Sequence, residues 1–92
     1  MINRAWRDVV ADILEVAKGG ANQTSIMYRS FLSYTMVKEY FELLLQSGLL
    51  SYDKKVKMFE TTEKGLEFLE LYKKMNTLVF PPNMKLRKAL KG

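Results

Sequence analysis

The chain contains no cysteine and no histidine among its 92 residues. The first absence excludes a disulfide framework, a thiol nucleophile, an iron–sulfur cluster and every cysteine-containing zinc site. The second removes the commonest general base and metal ligand. Glycine-rich phosphate loops of Walker or Rossmann spacing are missing as well. No stretch approaches the roughly 18 uninterrupted apolar residues of a membrane span. The first residues, Met1 to Asp8, lack the apolar core of a signal peptide. The expectation is a soluble, cytoplasmic protein that is not an enzyme, has no cofactor and no metal, and does not meet a membrane.

What remains is globular in composition, with 48% hydrophobic, 27% charged and 12% aromatic residues. Such a chain buries a core, and its length suits one small domain. Without disulfides or zinc to staple so small a domain, oligomerisation is the common remaining device.

From Asn3 to Lys18, apolar residues fall at Trp6, Val9, Val10, Ile13, Leu14 and Ala17, opposite Arg4, Arg7, Asp8, Asp12 and Glu15. This is helical spacing, and Gly19-Gly20 ends it. The charged residues read as intrahelical pairs, and the phase of Trp6 assigns it to the core or to a dimer interface. Thr24 or Ser25 can cap a short helix through Ser30, and Ser33 can cap another from Tyr34 to Ser47, stopped by Gly48. In that third helix Val37, Tyr40, Phe41, Leu44 and Leu45 should be buried, leaving Tyr34, Thr35, Lys38, Glu39, Glu42 and Gln46 outward.

The runs Leu49–Tyr52 and Val56–Thr61 flank a charged turn, Asp53-Lys54-Lys55, in the manner of a β-hairpin. Thr62 caps a last long helix with Glu63 in its first turn, and Pro81-Pro82 terminates it. Phe68, Leu71, Met75 and Leu78 form one apolar stripe of this helix, and Leu66, Leu69, Tyr72 and Val79 a neighbouring one. One stripe can pack on the domain while the other is spare for a partner. The fold class predicted is mainly α with a small β-hairpin, a winged helix-turn-helix with a long C-terminal helix for dimerisation. Residues 1–62 form the winged helix-turn-helix, 63–80 the dimerisation helix and 81–92 a basic tail.

The resemblance extends beyond this topology. The run from Thr24 to Tyr34, its continuation from Tyr40 to Leu50, and Thr61-Thr62-Glu63-Lys64-Gly65-Leu66-Glu67-Phe68-Leu69 look like the archaeal winged-helix family. The match covers most of Thr24 to Tyr72. That family includes small dimeric chromatin-associated proteins whose last helix forms an antiparallel coiled coil. The resemblance implies a nucleoid-associated, homodimeric DNA-binding protein.

Three regions are candidates for that work. Ser33, Tyr34, Thr35 and Lys38 occupy the end of the third helix that enters a major groove, where hydroxyls and lysine bond bases or phosphate. Ser33 also serves simply as a cap, and Glu39 and Glu42 would repel phosphate. Lys54, Lys55 and Lys57 make a basic wing for the backbone or minor groove, although lysines also guard an exposed strand edge. Arg29 is a further phosphate candidate. The third region is the dimer stripe of Phe68, Leu71, Met75 and Leu78. Glu60, Glu63, Glu67 and Glu70 read as a solvated acidic face rather than an acid/base pair.

The formal charge of +5 is unevenly placed. Residues 1–70 hold nine basic and ten acidic groups, whereas residues 71–92 hold six basic groups and no acid. From Lys18 to Lys57 there are six basic groups against three acidic, a local excess around the helix-turn-helix and wing. The leading expectation is a regulator of double-stranded DNA, with the tail beyond Pro82 as a second, sequence-blind phosphate contact. The competing one is a winged helix that docks another protein and does not touch DNA.

Overall fold

The computed structural model describes residues 5–79. The elements are α1 (Trp6–Val16), α2 (Gln23–Arg29), α3 (Tyr34–Gln46), β1 (Leu50–Asp53), β2 (Met58–Thr61) and α4 (Glu63–Val79). The predicted helix start at Asn3, the Pro81-Pro82 stop and the basic tail lie outside the described residues.

The predicted apolar stripe of α1 is buried from Val9 onward, with Val9, Val10, Ile13, Leu14 and Ala17 in the core. Trp6 departs from it. Its side chain is 58% exposed, one turn before the buried stretch, and it borders a shallow groove of about 320 Å³ with Glu39, Tyr40 and Leu43. In α3, Val37, Phe41 and Leu44 are buried and Tyr40 half-buried, but Leu45 is exposed. A residue one step after Leu44 is rotated about 100° around the helix, which takes Leu45 off the buried stripe.

Ser33 caps α3, accepting the Met36 N–H at 3.2 Å. The cap of α2 is neither Thr24 nor Ser25 but Asn22, whose Oδ1 accepts the Ser25 N–H at 2.8 Å. The cause lies one residue earlier. Ala21 exchanges two backbone hydrogen bonds of 2.8 Å with Phe59, which makes it a one-residue third strand of the wing. The chain is therefore extended until Asn22, the first residue free to cap.

The wing pairs Leu50 with Thr61 and Asp53 with Met58 in antiparallel register. Val56 and Lys57, expected in the second strand, fall in the turn instead, where Lys57 adopts a left-handed φ of 53°. Thr61 locks the wing to α1. Its Oγ1 donates to the Leu14 carbonyl at 2.6 Å and its N–H to the Ala17 carbonyl at 3.1 Å. Phe59 stacks on Phe41 of α3, with ring centroids 4.0 Å apart, which packs the wing against α3.

Thr62 Oγ1 accepts the Gly65 N–H at 3.1 Å as the cap of α4, and donates to the Gly48 carbonyl at 2.6 Å. Helix α4 then crosses α1, turning Leu69 into the core with Phe68 and Tyr72 packed partly against it. The Tyr72 hydroxyl donates a hydrogen bond to the Asp8 carboxylate across this contact, so Asp8 does not serve only within α1. Glu15 reaches Lys18 at 3.1 Å and Lys73 of α4 at 3.7 Å.

Burial, followed by the bond to Asp8, raises the Tyr72 pKa above the ordinary tyrosine value. The phenol keeps its proton in the folded state to higher pH than in the unfolded chain. Its contribution to stability is complete below about pH 10 and is lost as pH rises through the shifted value. Urea midpoints measured across this alkaline range should fall less steeply in Tyr72→Phe than in the parent. Parallel curves would contradict the linkage.

Candidate nucleic-acid interface

The sequence from Ile26 to Val37 folds as two helices joined by a tight turn because each side of the turn has its own stop or start. Leu32 is buried between them and Ser33 begins the next helix. With Val37, Phe41 and Leu44 facing inward, Thr35 and Lys38 are exposed on the outer side of α3, while Tyr34, in phase with Phe41 two turns on, is exposed at the start of the helix beside the exposed Ser33. The Lys38 Nζ lies 5.2 Å from the centre of the Tyr34 ring, within reach of a cation–π contact that holds the ammonium over the first turn. Arg29 is exposed in the last turn of α2. Arg29, Ser33, Tyr34, Thr35 and Lys38 are thus all exposed, on either side of the turn between α2 and α3. Glu39 and Glu42 are exposed on α3 beyond it.

Lys54, Lys55 and Lys57 are all exposed in the hairpin turn. Asp53, the only acid there, turns its Oδ1 onto the Lys55 backbone N–H at 2.9 Å. It thereby shapes the turn, and three ammonium groups project from a short loop that α3 and α1 hold in place.

The four residues of the proposed dimer stripe do not share one environment. Phe68 is half-buried and stacks with Tyr72, ring centroids 6.3 Å apart, whereas Leu71, Met75 and Leu78 are exposed, as is Leu66. The outward apolar surface of α4 is carried by Leu71, Met75 and Leu78.

Two large aromatic side chains near the turn between α2 and α3 are exposed as well, although helical periodicity does not mark them. Tyr28 and Phe31 are 71% and 87% exposed, on either side of the end of α2. The available signal was the spacing of Tyr28, Phe31 and Tyr34, three residues apart across a turn rather than along one helix.

Among the described residues, no helix is long and apolar enough to cross a membrane, and no three His, Cys, Asp or Glu residues are grouped to hold a metal ion. No curated protein matches the chain. Among solved structures it is similar to Sso10a-2, a DNA-binding protein from Sulfolobus solfataricus, with a TM-score of 0.72. The alignment covers 82% of this chain and 81% of that one at 22% identity. At that identity the likeness is one of fold. A family model described as winged helix-turn-helix matches residues 3–80, which span all six elements above, and the chain therefore belongs to the winged helix-turn-helix family.

Proposed function

We infer that the chain binds double-stranded DNA, as a small homodimeric archaeal transcriptional regulator of the nucleoid. Helix α3 enters the major groove and the 53–57 wing lies on the backbone or minor groove. The observation that carries this reading is the orientation of α3. Its stripe of Val37, Phe41 and Leu44 is buried, while Ser33, Tyr34, Thr35 and Lys38 are all exposed at the end that a winged helix offers to DNA. Membership of the winged helix-turn-helix family and the shared fold of a DNA-binding protein support it.

The test is a titration of the full chain against duplex DNA at several salt concentrations. Affinity should fall with a log–log slope of roughly −0.9 per phosphate neutralised. Failure to bind any duplex at low salt would favour the second reading, a protein-docking winged helix. Glu39, Glu42 and the groove beside Trp6 support that alternative.

In the proposed dimer, Leu71, Met75 and Leu78 of α4 meet their counterparts in a second copy. A stripe of three exposed apolar side chains over little more than one heptad is costly to leave in water, and pairing the helices covers it. Leu71→Glu with Met75→Glu should give a monomer in analytical ultracentrifugation and preserve the fold, since both side chains are exposed in the single chain. A parent that already sediments as a monomer would dispose of the dimer. Residues 81–92 serve in this scheme as the sequence-blind basic tail.

A further inference from the structure

Helices α2 and α3 end in the same backbone arrangement but place different residues at its strained position. At the end of α3 the Gly48 N–H donates to the Leu45 carbonyl at 3.2 Å and the Leu49 N–H to the Leu44 carbonyl at 2.9 Å, with a φ of +78° at Gly48. At the end of α2 the Phe31 N–H donates to the Tyr28 carbonyl at 3.3 Å and the Leu32 N–H to the Met27 carbonyl at 3.0 Å, with a φ of +55° at Phe31. Glycine favours this position because the left-handed conformation crowds a Cβ against the following carbonyl oxygen.

Phe31 therefore carries backbone strain that Gly48 avoids. It gains nothing from the core in return, since it is 87% exposed. A side chain that is both strained and solvated points to a role outside the monomer. Tyr28 precedes it by three residues and Tyr34, itself 58% exposed, follows it by three.

The charge around these rings selects the partner. No acidic residue occurs between Glu15 and Glu39 in the sequence, while Arg29 and Lys38 are exposed within the same stretch. Aromatic side chains in a stretch that carries cations and no acid, with the Lys38 ammonium over the Tyr34 ring, suit a base with its phosphates. Every base presents a face for stacking, and the cations meet the backbone.

We propose that Phe31, flanked by Tyr28 and Tyr34, is a base-stacking element that takes up DNA bases freed from the duplex stack, as at a gap or in a single strand. The proposal rests on the DNA-binding reading above and specifies the form of DNA preferred. In an intact duplex the base faces are covered by their neighbours, so the ring contributes only where a step is open.

The experiment compares the full chain on three probes of one sequence: an intact duplex, a duplex with a short single-stranded gap, and the single strand. A 2-aminopurine is placed at the gap. The parent should bind the gapped probe about tenfold more tightly than the intact duplex and change the 2-aminopurine emission. Phe31→Asn, a residue that tolerates the left-handed conformation, should remove the preference and the emission change, leave intact-duplex affinity unchanged, and unfold at no lower urea than the parent. Should it fail to fold, Phe31→Gly replaces it, since glycine already closes α3 in this way.

Equal binding of the gapped and intact probes by the parent, or a preference that survives in the variant, overturns the stacking element and leaves duplex binding standing. Phe31-dependent binding to the single strand without duplex binding overturns the duplex reading alone. A parent that binds none of the three probes overturns both.

Discussion

Gly65→Ala is expected to destabilise the domain by about 3 kcal/mol, measured by urea unfolding. Two effects of opposite sign compete at this position. In an exposed helix, replacing glycine by alanine stabilises by up to about 1 kcal/mol through backbone entropy. Gly65, however, lies where the first turn of α4 meets the hairpin. A Cβ there would stand 2.4 Å from the Leu49 carbonyl oxygen and 2.6 Å from the Thr61 Cγ2.

Neither neighbour can yield cheaply. The Leu49 carbonyl accepts the Thr62 N–H at 3.1 Å, and Thr61 is tied to Leu14 and Ala17 of the α1 segment. The clash therefore outweighs the propensity gain and pushes α4 away from the wing. Leu66→Ala, one residue on but exposed, should change stability by no more than about 0.5 kcal/mol. An alanine at position 65 that stabilised the protein would show that α4 does not sit this close to β1.

Lys54→Ala with Lys55→Ala should lower affinity for duplex DNA on the order of 100-fold at about 0.05 M salt. It should also reduce the magnitude of the salt slope by about 1.8, the value for two phosphate contacts. Both side chains are exposed, and the turn is held by the backbone N–H of Lys55 on Asp53, which alanine retains. Lys57 is left in place because its φ of 53° makes substitution there a conformational change as well as a loss of charge. The loss should be uniform across DNA sequences, unlike that of Thr35→Ala, which should alter preference among them. An unchanged slope would return these lysines to guarding the edge of a two-stranded sheet.

Some features of the fold were legible because they depend on residues close in sequence. The buried stripes of α1 and α3 follow from helical spacing, and Ser33 and Thr62 cap their helices because a hydroxyl ahead of a periodic segment has its acceptor beside the free N–H groups. Gly48 ends α3 for an equally local reason. Periodicity shows that a face is apolar, but it does not show how far a neighbour extends over it. Trp6 has the correct phase and yet lies at the open end of α1, and the inward side of α4 is Leu69 with Phe68 and Tyr72, so the expected stripe of Phe68, Leu71, Met75 and Leu78 is divided.

The candidate site follows the same division. Lys54 and Lys55 could be assigned to the hairpin turn and Lys57 to its immediate neighbourhood from adjacency alone, and Ser33 to Lys38 to one helical end from spacing. Phe31 is of a type that suggests core, and only the backbone shows it in the left-handed position of a helix stop with its ring in water.

The amino-acid order by itself thus determined the helices and the hairpin, the caps of α3 and α4, and the cluster of basic residues at the wing, since each rests on interactions spanning a few residues. Tertiary structure alone decided that Ala21 joins the wing and so moves the α2 cap to Asn22, that α4 crosses α1 with Leu71, Met75 and Leu78 outward, and that Gly65 has no room for a side chain. Those outcomes depend on where distant backbone segments meet. A change of an ångström in that meeting decides whether a given atom is covered, bonded or excluded, and no local pattern records it.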